Sequence, residues 1–166
     1  MLDVILLYPK FLTMSKLFQS NDIIWIKNVN TPSEDAYLNL PTDNFKLYFP
    51  DQFKSNASQV KEGEIILLHQ NINGQKVFTH LVTPVDAAPA EFDYTRKKHR
   101  AYRTVKIVGV TPSSDVIAVS STLWMNVRFQ GIGQGNACRI KNIASVSDNY
   151  FKLAQNVWEK FIPFFK

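Results

Sequence analysis

The sequence predicts a small, mostly antiparallel β-barrel of the α+β class with flanking helices. Short apolar or β-branched runs recur along the chain, Pro, Gly and Asn punctuate them, and only the C-terminal segment has sustained helical periodicity. With 166 residues and 45% hydrophobic content, the chain suits a single domain, residues 1–166, that can bury its own core. Residues 1–20 are predicted to form an N-terminal extension of this domain.

A hairpin within residues 60–86 gives the strongest strand signal. Residues 65–69 form an apolar and β-branched run, residues 71–74 (Asn-Ile-Asn-Gly) supply a turn, and residues 77–82 form the return strand. Gly63 precedes this unit and Pro84 closes it. The rest of the sheet is expected to assemble around this hairpin.

Further strands are predicted on both sides of the hairpin. Their apolar or alternating runs are residues 23–27, 44–49, 102–110, 116–119, 123–129 and 137–143. Polar, proline-containing segments at 28–43 and 83–100 are predicted loops, and 52–59 is a polar connection with room for one helical turn.

The chain is predicted to end in an amphipathic helix over residues 146–162. Ser147 is a suitable N-cap, and Pro163 ends the pattern. Apolar residues recur at helical spacing between them: Tyr150, Phe151, Ala154, Val157, Trp158 and Phe161.

Several functional classes are excluded by composition. A single cysteine, Cys138, rules out an internal disulfide and most thiolate metal sites, which favours a cytoplasmic location. His69 and His80 lack a third nearby ligand, so we expect neither a metal nor another cofactor. The N-terminus lacks the layout of a secretory signal, and no window has the apolar length of a membrane span. No pattern indicates an oligomeric state.

The net charge of +5 is distributed unevenly. Residues 1–95 hold 7 Lys and Arg against 11 Asp and Glu, a net charge of −4, whereas residues 96–166 hold 12 against 3, a net charge of +9. A basic face would attract a polyanion such as nucleic acid. The alternative is that the two halves interleave and their charges pair or are solvated.

The hairpin and its surroundings resemble a known family. The turn Lys-Glu-Gly-Glu at residues 61–64, the strand after it and the Gly-containing turn are similar to the central hairpin of PUA-like barrels, particularly EVE domains and their YTH and ASCH relatives. The run Ile-Trp-Ile-Lys-Asn at residues 24–28 resembles their opening strand, with Asn28 where the family usually has Ser, and residues 102–110 occupy the place of their next core strand. The resemblance covers about residues 23–110.

This resemblance implies a module that binds RNA or DNA and takes one flipped or modified base into a pocket. Such a site needs an aromatic face, polar groups that read the base edge and cations along the phosphates. The candidate base-pocket residues are Trp25, Lys27, Asn28, Gln70, Asn71, Thr79, His80 and Trp124. The candidate phosphate-binding residues are Arg96, Lys97, Lys98, Arg100 and Arg103, in a run flanked by tyrosines.

Other interpretations of these residues stay open. Trp25 and Trp124 could simply be core residues, and the basic run could be a solvated loop. A hydrolase acting on a modified nucleoside is one alternative function, with Lys27, Thr79 and Glu64 at its centre. A protein-interaction module is another, with the aromatic residues 158–165 exposed for docking.

Residues 131–135 lack the features of a nucleotide-binding loop and are predicted to form a flexible link or bulge. No spacing supports a nucleophilic pair of Cys138 and His80.

Overall fold

The computed structural model describes residues 18–29, 42–129, 135–143, 145–146 and 148–166. The predictions for residues 1–17, for most of the loop at 28–43, for residues 131–134 and for the Ser147 cap lie outside these ranges. Within them, no helix combines the length and apolar character needed to cross a membrane.

Eight strands and two α-helices make up the described chain, which is therefore a mixed α+β structure. The strands are β1 (Ile23–Asn28), β2 (Phe45–Phe49), β3 (Ile65–Ile72), β4 (Gln75–Pro84), β5 (Glu91–Phe92), β6 (Ala101–Val110), β7 (Ile117–Ala118) and β8 (Ala137–Arg139). The helices are α1 (Lys54–Gln59), between β2 and β3, and α2 (Tyr150–Phe161), near the C-terminus.

All eight strands belong to one sheet. Six of them follow the order β2-β6-β4-β3-β1-β8, while β5 pairs with β6 and β7 pairs with β4. Every pairing is antiparallel except that of β1 with β3, which is parallel. The expectation of a mostly antiparallel sheet is therefore confirmed.

The sheet curls into a half-barrel. The Lys27 Nζ atom of β1 lies 4.7 Å from the ring centroid of Phe49 in β2, although three strands separate β1 from β2 in the sheet order. Neighbouring strands are about 4.8 Å apart, so a flat sheet would hold β1 and β2 about 19 Å from each other. Only strong curvature brings the two side chains into contact.

Two hydrophobic clusters occupy the two faces of this sheet. On the inner face, the cluster includes Trp25, Leu47, Phe49 and Ile66 together with Ala57 of α1. On the opposite face, here called the α2 face, Ile26, Leu67, Phe78 and Trp124 pack with Leu153, Ala154, Val157 and Phe161 of α2. The alternation of side chains along each strand sends residues to one face or the other, and both faces are covered.

The predicted hairpin is confirmed as β3 and β4. Both strands are longer than predicted, and the connection is the two-residue turn Asn73-Gly74, with φ of 51° and 80°. Positive φ at both positions is the geometry that Asn-Gly favours, because its twist matches that of the flanking strands. A bulge interrupts the pairing after Leu68.

The predicted strand at 123–129 is wrong. Residues Leu123–Asn126 form a 3-10 helix, and residues 127–129 are irregular. The Thr122 hydroxyl accepts a hydrogen bond from the Trp124 backbone N–H at 3.1 Å and caps this turn. Because the turn directs the whole Trp124 indole into the core, burial favours it over an extended run.

Other element boundaries differ from the prediction. The strands predicted at 116–119 and 137–143 are limited to β7 and β8, and a 3-10 turn follows each one directly. The connection at 52–59 holds a 3-10 turn that continues into α1, and the loop at 83–100 includes β5. The C-terminal helix predicted over residues 146–162 is confirmed as α2, which begins at Tyr150 and continues directly into a 3-10 turn, Ile162–Phe164, that contains Pro163.

Candidate nucleic-acid interface

Four polar side chains of the predicted pocket lie buried on the inner face and are here called the inner polar cluster. Lys27 and Gln70 are each 2% exposed, and Thr79 and His80 are 0% exposed. Buried polar residues cost free energy unless they have partners, so a group of them is more informative than buried apolar residues.

Strand register and the bulge explain how these residues are placed. Lys27 pairs with Leu68, and Leu68 pairs with His80, so Lys27 and His80 lie in one row across three strands. Gln70 lies two residues beyond Leu68, on the same face. Thr79 is the extra residue of β4 at the bulge, since His80 pairs with Leu68 and Phe78 with His69.

Hydrogen bonds join three members of the cluster. The Gln70 side-chain amide donates to the Thr79 hydroxyl oxygen at 2.8 Å, and His80 Nδ1 lies 2.8 Å from the same oxygen. The His80 ring also meets Phe45 edge-on, with their ring centroids 5.8 Å apart. These contacts fix the orientation of the amide and the imidazole.

Lys27 extends from this row toward the end of β2. Its ammonium group donates to the carbonyl oxygens of Gly135 and of Asn28, the latter at 3.3 Å, and lies over the Phe49 ring. Carbonyl dipoles and an aromatic face therefore hold this buried ammonium at one end of the half-barrel.

The remaining pocket candidates have different surroundings. Trp25 is 2% exposed, its indole N–H donates to the Glu64 carboxylate at 2.7 Å, and the Arg139 guanidinium lies 4.5 Å from its ring. Asn28 is half-buried at the end of β1, and Asn71 is exposed on the hairpin.

Trp124 is separated from the inner polar cluster by the sheet. It is fully buried on the α2 face, its ring centroid lies 5.6 Å from that of Phe78, and its indole N–H donates to the Leu153 carbonyl at 3.1 Å. With that surface and that donor engaged, its contacts are those of a core residue.

The basic loop, residues 93–100, is organised around the Asp93 carboxylate. This carboxylate accepts hydrogen bonds from the Tyr48 hydroxyl at 2.7 Å, the Thr95 hydroxyl at 2.6 Å and the Thr95 backbone N–H at 3.1 Å. The bonds from Thr95 and Tyr48 stabilise the charged form and hold the pKa of Asp93 well below its usual value.

The cations of this loop differ in their partners. The Arg96 guanidinium stacks 3.8 Å from the Tyr48 ring, whereas Arg100 forms an ion pair of 2.7 Å with Asp51 and also donates its backbone N–H to Asp51. Lys97 and Lys98 are exposed.

Arg103 lies inside the protein. It is 4% exposed, and its guanidinium donates to the carbonyl oxygens of Ala57, Val60 and Asp86 at 3.1, 2.9 and 3.0 Å. These bonds attach the end of α1 and the loop after β4 to β6. The contacts of Arg103 are therefore internal packing contacts, whereas Lys97 and Lys98 are exposed.

The end of β2 connects the inner polar cluster with the basic loop. Phe49 faces inward and contacts Lys27, whereas Tyr48 faces outward and contacts Arg96. Asp51, two residues after Phe49, holds Arg100. The strand end therefore has the buried ammonium on one side and the stacked guanidinium on the other.

The residues named for the alternative functions have the following surroundings in the described chain. The described residues contain no group of three or more His, Cys, Asp or Glu side chains that could hold a metal ion. Cys138 packs against the α2 face, opposite His80, and burial raises the pKa of its thiol. Glu64 is engaged by the Trp25 indole. The aromatic C-terminus largely packs on the α2 face, where the rings of Trp158 and Phe165 lie 4.5 Å apart.

Sequence reasoning missed the acidic residues that shape the basic loop. Neither Asp51 nor Asp93 is among the predicted site residues, yet Asp51 fixes Arg100 and Asp93 fixes the backbone at Thr95. The Asp-Tyr-Thr order at 93–95, which suits a side-chain-to-backbone turn, was the available signal for Asp93. Arg139, which contacts the Trp25 ring, has no comparable signal in the sequence.

No family model, curated protein sequence or solved structure matches this chain, so its function must be inferred from the geometry of its own residues.

Proposed function

We propose that this chain is a PUA-like nucleic-acid-binding module that holds single-stranded RNA or DNA on the basic loop and takes a flipped or modified base toward the inner polar cluster. The observation that carries the proposal is the contact of both sites with one strand end. Through Phe49 and Tyr48, β2 connects buried Lys27 with stacked Arg96.

The chemistry of each site suits its part in this function. Lys97 and Lys98 are exposed beside Tyr94, whose side chain is 80% exposed. Cations interleaved with an accessible aromatic ring are typical of surfaces that bind single strands, where phosphates meet the cations and a base stacks on the ring. The amide, hydroxyl and imidazole of the inner polar cluster are groups that read base edges by hydrogen bonding.

Charge reversal in the basic loop tests the proposal. We expect Lys97→Glu with Lys98→Glu to weaken the binding of a fluorescein-labelled single-stranded 12-mer by about tenfold or more at 100 mM salt, measured by anisotropy. The slope of log Kd against log salt should decrease by about 1.4, or about 0.7 for each lost phosphate contact.

A matched control distinguishes an effect of the charges in the basic loop from an effect of the net charge of the protein. Lys152→Glu with Lys160→Glu changes the net charge equally on the exposed side of α2. If both double variants lose affinity to the same extent, attraction by net charge explains the binding and the basic loop is not the contact surface. If wild-type protein binds neither RNA nor DNA at 50 mM salt, the proposed function fails.

A further inference from the structure

A concave site lies beside β8, where Trp25, Ala137 and Arg139 are among its lining residues. It is a cavity of about 250 Å³ between β1, α1 and the edge strand β8, and it opens where Gln59 and Asn142 are exposed. Pockets that bury a drug-sized molecule measure roughly 300–1,000 Å³, so this cavity suits a smaller group such as one planar ring system.

Carboxamides dominate the polar lining of this cavity. Four of them converge from α1, from the residue before β8 and from the 3-10 turn after it: Asn56, Gln59, Asn136 and Asn142. A carboxamide offers both a donor and an acceptor on a planar group, which matches the edge of a nucleobase. Of the described residues that line the cavity, only Arg139 is charged, so its chemistry favours a neutral, hydrogen-bonding ligand.

Two of the amides are already fixed and two remain available. Asn56 donates to the Asn136 side-chain oxygen at 2.7 Å and to the Ala137 carbonyl at 2.5 Å, which holds α1 against β8. Over the chain segments that the structure describes, no hydrogen bond engages the side chain of Gln59 or Asn142. These two amides can therefore turn toward a ligand.

Arg139 provides the planar surface. Its guanidinium lies on the Trp25 ring, and the indole N–H bond to Glu64 fixes that ring in turn. A guanidinium supported on one face by an aromatic ring can stack with a base on its other face.

From this geometry we infer that the cavity is a second base site, which stacks one nucleobase on Arg139 and reads its edge with Gln59 and Asn142. This inference rests on the proposed function and extends it to a neighbouring nucleotide of the same strand. Gly135 accepts the hydrogen bond from Lys27 and Asn136 lines the cavity, so adjacent residues of one segment join the two sites.

The test removes the amides and measures base preference. For Gln59→Ala with Asn142→Ala, we expect the affinity for the preferred single-stranded homopolymer 8-mer (dA, dC or dT) to fall about 10- to 30-fold, as two lost neutral hydrogen bonds imply. The preference among homopolymers should shrink, while the slope of log Kd against log salt stays unchanged because the removed groups are neutral. Gln75→Ala with Asn126→Ala removes two exposed amides outside this cavity and is the matched control.

A second variant tests stacking without changing the charge. Arg139→Lys keeps the cation near Trp25 but removes the planar face, so it should weaken binding to a base-containing 8-mer and leave the affinity for an abasic 8-mer unchanged. If wild-type protein binds the oligonucleotides and both the amide variant and Arg139→Lys match it in affinity and base preference, the second base site is refuted while the proposed function stands. If wild-type protein binds no oligonucleotide, both fail.

Discussion

Arg103 offers the sharpest test of how this fold uses its cations. The change Arg103→Met replaces the methylene stem of the arginine with a similar unbranched apolar chain. It removes the guanidinium that donates to the carbonyls of Ala57, Val60 and Asp86. A hydrogen bond from a charged group contributes about 1.5–3 kcal/mol. The total is smaller than three such terms, because the variant no longer desolvates a guanidinium and water can reach carbonyls at the end of α1. Three charged hydrogen bonds reduced by these two compensations predict a loss of about 3–5 kcal/mol.

Urea unfolding followed by tryptophan fluorescence measures this loss. The midpoint should fall while the m-value stays constant, and the thermal midpoint should drop by about 6–20 °C for a chain of this size. Lys98→Met, an exposed change in the basic loop, is the control and should alter the free energy of unfolding by less than about 0.5 kcal/mol. If Arg103→Met unfolds like wild type but loses oligonucleotide affinity as Lys98→Met does, Arg103 binds phosphate and the reasoning from its carbonyl partners is refuted.

Three further outcomes follow from the described contacts. Trp124→Phe should lower the free energy of unfolding by about 1–3 kcal/mol, because it removes the hydrogen bond to Leu153 and leaves a void. Urea unfolding followed by circular dichroism measures this loss. A larger effect on oligonucleotide affinity than on stability would contradict a core role. Burial lowers the pKa of His69 from 6.5 to about 3 in the folded protein, so the unfolded chain takes up the proton first and stability falls as pH drops below 6.5, by up to about 1.4 kcal/mol per pH unit. His69→Leu should flatten this dependence between pH 7 and 5, and equal slopes for variant and wild type would show that His69 is not its source. Asp93→Ala should speed trypsin cleavage within the basic loop several-fold, as followed by mass spectrometry, because the loop loses its bonds to Thr95 and Tyr48; an unchanged cleavage rate would mean that other contacts hold the loop.

The elements that were predictable from the sequence are those specified by local patterns. The hairpin follows from two runs rich in apolar and β-branched residues on either side of Asn73-Gly74, and α2 follows from helical spacing up to Pro163. The residue type and spacing at each of these positions agree with the final structure without help from distant contacts.

Tertiary contacts decided the rest. The short apolar run at 123–129 suits a strand or a turn equally, and the core site for the Trp124 indole selected the turn. The bulge that brings Thr79 beside Gln70 leaves no local sign in β4. The parallel pairing of β1 with β3 depends on residues far apart in the chain.

The position of Arg103 in β6 carries a sequence signal for its burial. This residue follows closely after the exposed cations of the basic loop in the sequence, which suggests a similar role. However, Arg103 lies two residues from both Ala101 and Val105, which are fully buried, and therefore on the same face of the strand. An arginine on the apolar face of a strand predicts a buried guanidinium with carbonyl partners. Lys97 and Lys98, in contrast, lie outside any strand.

The position of β1 between β3 and β8 has a consequence for the order of folding. During synthesis, β1 cannot pair with β3 until Ile65, the partner of Ile23, has been added to the chain. Its pairing with β8 requires Arg139, the partner of Trp25, which is added much later. The hairpin of β3 and β4, with β6 beside it, can form from nearby residues well before β8 is synthesised. We therefore expect the pairing of β1 with β8 to form late. Until β8 arrives, one edge of an apolar strand is open to pairing with other chains, and the rate of its closure sets how long that aggregation hazard lasts.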